Sequence, residues 1–258
     1  SKIITLSNKK RKEIAAKNLQ SINTTFSQGY DHKSLVFKQI DNENYVLFDE
    51  GRLKINSDLF LKETNRNWFR VGEIGAFIAH YVIWKNMVEN NIPYMLIFED
   101  DCKPCSTFEE QNIKKIIDEI DDSVDIVYLQ SVSAHLQDKT QYVTGRKNEC
   151  LISVNEAHPN IYWFLEGVAS YLITLSGAKK LLEDTTKNGW YAPIDNMMAK
   201  NAHLNRINIV VPTNLNDFFT LDDSICNVSQ THSGNFVNSK MIGNLFVQYR
   251  ENEEIQYA

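Results

Sequence analysis

The sequence has few cysteines and prolines, no membrane-length hydrophobic run and no excess of basic residues. Neither a signal peptide nor a stretch of membrane-spanning length is present, so we expect a cytoplasmic protein without a membrane span. A net charge of −6 argues against a broad nucleic-acid-binding surface. Because there is also no internal repeat, low-complexity linker or second hydrophobic core, residues 1–258 are predicted to form one domain.

The four cysteines offer little chemistry. Cys102 and Cys105 form a C-x-x-C pair after a predicted strand, where a thiol–disulfide oxidoreductase would place one. The acidic residues just before the pair oppose that activity, since nearby negative charge raises a thiol pKa. Cys150 and Cys226 lack the spacing of zinc ligands. Ordinary reduced cysteines are therefore favoured, and the oxidoreductase is kept as an alternative.

The most informative stretch is an apolar run, 94–98, that ends abruptly in Glu99, Asp100 and Asp101. Such a nearly continuous apolar run is typical of a buried strand in a mostly parallel sheet. Three adjacent carboxylates repel one another unless solvent, hydrogen bonds or a cation compensates them. On a strand that continues past Phe98, Glu99 and Asp101 share one face. The pattern predicts a two-carboxylate clamp for Mn²⁺ or Mg²⁺, with a solvated acidic turn as the alternative.

Hydrophobic spacing predicts the remaining elements of an α/β fold. Strands are expected at 3–6, 34–40, 45–48, 124–129, 167–175 and 207–212. Helices are expected from Lys9 onward, at 73–90, at 108–120, and from a cap at Ser176 to about residue 187. Residues 53–69 are mixed and are interpreted as a loop covering a site. Residues 133–165 are polar and irregular, which is typical of loops that face an acceptor.

Several of these motifs together resemble the signature of glycosyltransferase family 25. They are residues 72–75 (G-E-I-G), 79–80 (A-H, where the family usually has Ser-His), 91–94 (N-I-P-Y) and 99–101 (E-D-D). Residues 193–195 (P-I-D) are similar to a later P-x-D element of the family. The resemblance is strongest over 72–103 and extends to 1–20 and 167–198. It implies a single GT-A-type nucleotide-sugar-binding domain, with a twisted, mostly parallel sheet flanked by helices.

The resemblance also implies a reaction, which is inverting transfer of a hexose, most simply galactose from UDP-galactose, to a hydroxyl group. Residues 1–132 would form mainly the donor and metal half, and 133–258 mainly the acceptor half with a C-terminal tail. The acceptor is left open between a glycan, a protein and a modified nucleic-acid base, and the oligomeric state is unknown. The alternatives are the thiol–disulfide oxidoreductase and a catalytically silent nucleotide-sugar-binding protein.

The donor and metal sites are assigned to residues near the predicted strand ends. Cations at the start of the first helix suit phosphate groups, and the Arg11 fork is the best suited of them. The residues expected to contact the donor are Thr5, Leu6, Arg11, Asp100 and Lys240. Similarity to metal-dependent glycosyltransferases, in which a late histidine completes the metal shell, adds His232 to Glu99 and Asp101.

The acceptor side is assigned more sparsely. Asp195 is the first choice for a general base that deprotonates the acceptor hydroxyl, with Glu166 second. Asp195 could equally serve as the N-cap of a helix through Met197 and Met198. Trp163 could stack on a sugar, although core packing is the commoner role. His80 is interpreted as a hydrogen-bonded structural histidine in preference to a ligand.

Overall fold

The computed structural model describes residues 1–5, 9–31, 34–66, 68–130, 143–154, 165, 167–214, 218–222 and 236–238. Within these ranges there are fifteen strands: β1 (Lys2–Thr5), β2 (Thr25–Gln28), β3 (Val36–Ile40), β4 (Glu43–Phe48), β5 (Gly51–Ile55), β6 (Trp68–Arg70), β7 (Tyr94–Glu99), β8 (Cys102–Pro104), β9 (Ile126–Tyr128), β10 (Val143–Arg146), β11 (Leu151–Val154), β12 (Ser170–Thr174), β13 (Ile209–Pro212), β14 (Phe219–Leu221) and β15 (Phe236–Asn238). The helices in the same ranges are α1 (Lys9–Asn18), α2 (Ser57–Thr64), α3 (Val71–Glu89), α4 (Glu110–Glu119), α5 (Leu175–Asn188) and α6 (Ile194–His203). None of these helices combines the length and hydrophobicity needed to cross a bilayer.

The main sheet has eight strands in the order β10-β11-β13-β9-β12-β7-β1-β2. The strand pairings show that β11 and β12 run opposite to the other six. The prediction of an α/β fold with a mostly parallel sheet is therefore confirmed. A separate three-stranded sheet, β3-β4-β5, and two strand pairs, β8-β14 and β6-β15, lie outside the main sheet.

The central strand β7 faces a different hydrophobic core on each side of the sheet, because successive side chains alternate. Ile97 belongs to the core that includes buried residues of α3, α5 and α6. Phe98 belongs to a second core with buried residues of α1 and α4. Helices thus cover both faces of the sheet, which explains why β7 is apolar on both sides.

Residues of the G-E-I-G motif position the helix α3 against the segment that follows β2. A Cβ atom on Gly75 would lie 2.0 Å from the backbone oxygen of Tyr30, so only glycine permits this approach. Glu73 accepts a hydrogen bond from the Arg70 backbone N–H at 3.1 Å and so caps the first turn. The motif therefore fixes the position of the helix that carries His80.

Two local predictions are wrong. The cap of α5 is Thr174, whose hydroxyl accepts the Gly177 N–H at 3.1 Å, and Ser176 already lies inside the helix. Residues 53–69 do not form a covering loop, because they build the end of β5, then α2 and part of β6. The hydrophobic positions of this region pack into the core around Phe60 and Phe69, which a mixed pattern did not reveal.

Candidate active site

The acidic residues lie where the C-terminal ends of β1 and β7 meet the start of the antiparallel strand β12. Glu99 is the last residue of β7, and Asp100 and Asp101 form a turn that leads into β8. The premise that strand alternation continues to Asp101 is therefore wrong, since the chain turns to pair β8 with β14. Because of this turn, and not because of strand alternation, the Asp100 side chain has other partners than Glu99 and Asp101. Each of the three carboxylates meets a different set of partners.

Asp100 is buried and joins three elements of the sheet edge. Its carboxylate accepts a hydrogen bond from the Thr5 hydroxyl at 2.7 Å and from Arg11 Nε at 3.0 Å. Arg11 Nη2 forms an ion pair with the other oxygen of the same carboxylate. Thr5 and Arg11 thus reach the predicted site and hold Asp100 there, and a donor contact by any of the three stays a prediction.

Asp101 carries a charge that its surroundings disfavour. Partial burial raises the pKa of this carboxyl to about 7, and the carboxylates of Glu99 and Asp100 add to the effect while Arg11 opposes it. The site therefore holds more negative charge than its cations compensate. Glu99 and Asp101 supply the hard oxygen ligands that Mn²⁺ or Mg²⁺ favours, so the residues fit such an ion. In the described chain no three His, Cys, Asp or Glu side chains form a cluster that could hold a metal, so further ligands would come from elsewhere.

Glu99 faces a buried hydrogen-bonded chain that begins at Trp84. The Trp84 indole N–H donates to the Tyr171 hydroxyl at 3.1 Å, and that hydroxyl lies 2.7 Å from His80 Nδ1. Among the described residues, His80 Nδ1 is the acceptor in reach of the Tyr171 hydroxyl proton, so the imidazole proton is assigned to Nε2. His80 Nε2 lies 3.4 Å from the Glu99 carboxylate. The histidine is both hydrogen-bonded in the core and directed at the site.

Asp195 lies in the first turn of α6, but Pro193 is the N-cap, so the prediction that Asp195 caps this helix is wrong. Its carboxylate accepts the Gly167 N–H at 3.1 Å and the Asn196 N–H at 2.8 Å. Burial raises the pKa of this carboxyl and the Glu99 charge raises it further, although three backbone hydrogen bonds, from Gly167, Asn196 and Asp195 itself, oppose the rise. The Glu99 backbone N–H donates to the Ala169 carbonyl oxygen at 2.9 Å, so Glu99 and Asp195 both lie beside residues 167–169.

Two residues of this edge were missed by sequence reasoning. Gln130 follows β9 and accepts the Ala169 N–H at 2.7 Å, and a Cβ on Gly167 (φ +80°) would meet its side chain at 2.8 Å. The sequence did contain a signal for Gln130, because it is a polar residue directly after an apolar predicted strand. Asp222 donates its backbone N–H to the backbone carbonyl oxygen of Asp101 at 2.6 Å. Nothing in the sequence indicates this contact, because it depends on the pairing of β14 with β8.

The remaining assignments lie outside the described residues and stay predictions. They are Leu6, Trp163, Glu166, His232 and Lys240.

Within the described part of the chain, the C-x-x-C pair lacks the features of a redox site. Cys102 is a free thiol and is completely buried on β8. Burial raises the pKa of the Cys102 thiol well above its ordinary value, and neighbouring carboxylates add to the rise. A disulfide oxidoreductase needs an accessible thiol of lowered pKa. The environment of Cys102 is the opposite, so the oxidoreductase alternative is not favoured.

A model of glycosyltransferase family 25 (LPS biosynthesis protein) matches residues 2–198 of this chain. A glycosyltransferase 25 family member of Aedes aegypti is 34% identical over 119 residues, which cover 44% of this chain and 17% of that protein. Procollagen galactosyltransferase 2 of Homo sapiens is 31% identical over 136 residues, covering 49% of this chain and 19% of that protein. The inactive glycosyltransferase 25 family member 3 of Homo sapiens is 29% identical over 114 residues, which cover 43% of this chain and 17% of that protein. The chain therefore spans less than a fifth of the length of these relatives.

Proposed function

The chain belongs to glycosyltransferase family 25, and on this premise we propose that it transfers a hexose from a nucleotide-sugar donor to an acceptor hydroxyl. One observation carries the proposal. Glu99 at the end of β7 and Asp195 in α6 both contact the segment 167–169, Asp101 follows Glu99 by two residues, and burial raises the pKa values of Asp101 and Asp195. Open α/β sheets bind ligands at the carboxyl ends of their strands, and perturbed carboxyls are typical of catalytic sites.

On the donor side, Glu99 and Asp101 would hold Mn²⁺ or Mg²⁺. Such an ion, when bound, would neutralise the charge of the leaving nucleoside diphosphate. Asp100 holds the Arg11 side chain near the end of β1. The Arg11 guanidinium there would suit the donor phosphates. The name of the human procollagen relative supports galactose as the transferred sugar, and UDP as its carrier is part of the same proposal.

On the acceptor side, Asp195 would take the proton of the attacking hydroxyl. Its raised pKa makes it a better proton acceptor than an ordinary Asp, because burial has reduced the stabilisation of its charged form. The hydrogen bonds from Gly167 and Asn196 fix the direction of both oxygens. Because the Asp195 backbone N–H also bonds to the carboxylate, three of its four lone-pair sites are used and one remains to accept a proton. One base and a direct displacement fit an inverting transfer.

The test is a panel of nucleotide sugars assayed for hydrolysis and transfer with Mn²⁺ or with EDTA. Asp101→Asn should abolish metal-dependent donor binding while the protein stays folded. Asp195→Asn should keep donor binding and lower the transfer rate about 10²–10⁴-fold, the usual range for a general base. Asp118→Asn, an exposed carboxylate on α4, is the matched control. If no donor binds and metal makes no difference, the proposal is wrong.

A catalytically silent nucleotide-sugar-binding protein is the second candidate. It is supported by the similarity to a relative whose name states that it is inactive. This candidate requires that a donor binds, and that the donor is neither transferred to an acceptor nor hydrolysed, whichever metal is present. In that case Asp195→Asn would change neither binding nor turnover.

A further inference from the structure

The segment 167–169, which leads into β12, contacts two acidic residues that the proposed reaction uses for different tasks. The Gly167 N–H donates to the Asp195 carboxylate at 3.1 Å. Two positions later, the Ala169 carbonyl oxygen accepts the Glu99 backbone N–H at 2.9 Å. Any movement of this segment would therefore change the place of the proposed base relative to the proposed metal ligand.

The segment has little regular structure of its own. Residues 167–169 belong to no helix or strand, and Gly167 has φ +80°, a backbone conformation that favours glycine. Glycine has more backbone freedom than any other residue, so contacts from outside are needed to keep it in one conformation. The residues at the end of β9 supply such contacts.

Tyr128 and Gln130 bond to the two ends of the segment. The Tyr128 hydroxyl donates to the Gly167 carbonyl oxygen at 2.7 Å, and the Gln130 side-chain oxygen accepts the Ala169 N–H at 2.7 Å. The two residues are two positions apart, so on an extended chain their side chains lie on the same face. Each end of the segment thus has one hydrogen bond from β9 or the residue after it, and one from an acidic residue.

Both contacts are well protected from water. Tyr128 is 2% exposed and Gln130 is 7% exposed. A Cβ on Gly167 would lie 2.8 Å from the Gln130 amide nitrogen, so Gln130 also packs directly against the glycine. An amide and a tyrosine hydroxyl are uncharged near neutral pH. They can therefore hold the segment without adding charge beside the carboxylates.

We propose that Tyr128 and Gln130 are positioning residues of the transfer reaction, which hold the segment 167–169 and thereby fix the Asp195 carboxylate relative to Glu99. They act through the backbone of the segment and need not touch the donor or the acceptor. Their role in transfer rests on the proposed function. Their hold on the segment is measurable without donor, metal or turnover.

The first test is NMR of the full chain without donor or metal. Tyr128→Phe removes the hydroxyl and keeps the ring, and the Gly167 amide proton should move upfield as its hydrogen bond to Asp195 lengthens. Asp195→Asn, which removes the charge of the acceptor, should move the same proton in the same direction. Both variants are compared with the parent protein at one pH and temperature.

Gln130→Met tests the other end of the segment, because it removes the acceptor of the Ala169 N–H and keeps a side chain of similar length. The Glu99 amide proton should then move upfield, since the Ala169 carbonyl oxygen is its acceptor. Tyr30→Phe is the matched control. It removes another buried tyrosine hydroxyl, one that donates to Glu50, and should leave the Gly167 and Glu99 amide protons unchanged.

The second test is the kinetics of transfer at temperatures where the variants are folded. Tyr128→Phe should lower kcat about 10–10²-fold, because a base that is displaced by a fraction of an ångström meets the acceptor hydroxyl poorly. The KM for the donor should stay unchanged. Gln130→Met should lower kcat and also raise the KM for the donor, because it acts at the Glu99 end. Tyr30→Phe should match the parent protein in both constants.

A purely structural role would give a different result. Both variants would lose stability, because buried backbone groups lose a partner, but the Gly167 and Glu99 amide protons and kcat would match those of the parent protein. That outcome overturns the proposal, as does an unchanged kcat in variants whose amide protons have moved. If the parent protein transfers no sugar, the proposed function fails and the role in transfer fails with it. The NMR comparison then still decides whether Tyr128 and Gln130 hold the segment.

Discussion

Three adjacent carboxylates, Glu99, Asp100 and Asp101, differ in their chemistry because their surroundings differ. Asp100 is compensated by Arg11 and Thr5, and Glu99 faces His80. Asp101 is half-buried, and its pKa is raised to about 7. A carboxyl whose folded-state pKa is raised destabilises the fold when it ionises, because the unfolded chain ionises it more easily. At the residue scale, the site therefore opposes the stability of the metal-free protein.

The first prediction concerns Asp101→Asn without metal. Stability contributed by the protonated carboxyl is present at low pH and is lost as the pH rises toward about 7, the pKa of Asp101 in the folded protein. At pH 8 the variant should therefore be more stable than the parent by roughly 1–2 kcal/mol, which raises its melting temperature by a few degrees. At pH 5 the difference should be smaller. Thermal melts in EDTA at both pH values measure this. Asp118→Asn should show no such pH-dependent gain, and an unchanged Asp101→Asn melt at pH 8 would contradict the prediction.

The second prediction concerns Tyr171→Phe. Removing the hydroxyl leaves the Trp84 N–H and His80 Nδ1 without the partner they share in a fully buried site. We expect a loss of about 1–3 kcal/mol in the free energy of unfolding. Tyr81→Phe, on a half-buried ring of α3, should cost much less. Nitrogen NMR of the parent protein should find the His80 proton on Nε2, and a proton on Nδ1 alone would show that the hydrogen-bond assignment is wrong.

At the scale of elements, α3 shows how a family signature can be structural. Gly72 and Gly75 belong to the same motif, yet a Cβ on Gly72 meets nothing within 4 Å while one on Gly75 meets backbone at 2.0 Å. Gly75 sets the distance between α3 and the chain after β2, and α3 in turn carries His80. The sequence marks both glycines equally, and only their packing separates them.

The third prediction follows from this pair. Gly75→Ala should destabilise the protein by about 1–3 kcal/mol or more, because the backbone must move to accept a methyl group. Gly72→Ala should be neutral or stabilising by up to about 1 kcal/mol, since alanine is the better helix former. Denaturant unfolding of both variants measures the difference. Equal effects would mean that α3 does not pack closely at Gly75.

At the scale of the whole molecule, a late segment closes the acidic turn. The strand β14 pairs with β8 directly after Asp101, and Asp222 donates its backbone N–H to the backbone carbonyl oxygen of Asp101. Phe219 of β14 is fully buried, with ring centroids 4.9 Å from Phe98 and 4.8 Å from Phe108. Residues far apart in the sequence thus support the turn that presents the carboxylates.

The fourth prediction tests this support. Phe219→Ala should cost about 3–5 kcal/mol of unfolding free energy, the range for truncating a buried phenylalanine. Under the proposed function it should also weaken nucleotide-sugar binding at temperatures where the variant is folded. Phe26→Ala, which removes a ring that is 43% exposed on β2, should cost about 1 kcal/mol or less. Comparable losses in the two variants would contradict a supporting role for β14.

The sequence alone determined the α/β class, the central strand β7 with its acidic end, and the helix α3, because these depend on the periodicity of neighbouring residues. It also determined the family signature. Only the tertiary structure decided which partner each carboxylate has. The Asp100 carboxylate binds Arg11 from 89 positions away, and the backbone carbonyl oxygen of Asp101 accepts a hydrogen bond from Asp222, which lies much later in the chain. Such pairings arise when separate elements pack together, and no local pattern records them. The acidic end of β7 predicted a charged site, and the packing around it gave each acid its own chemistry.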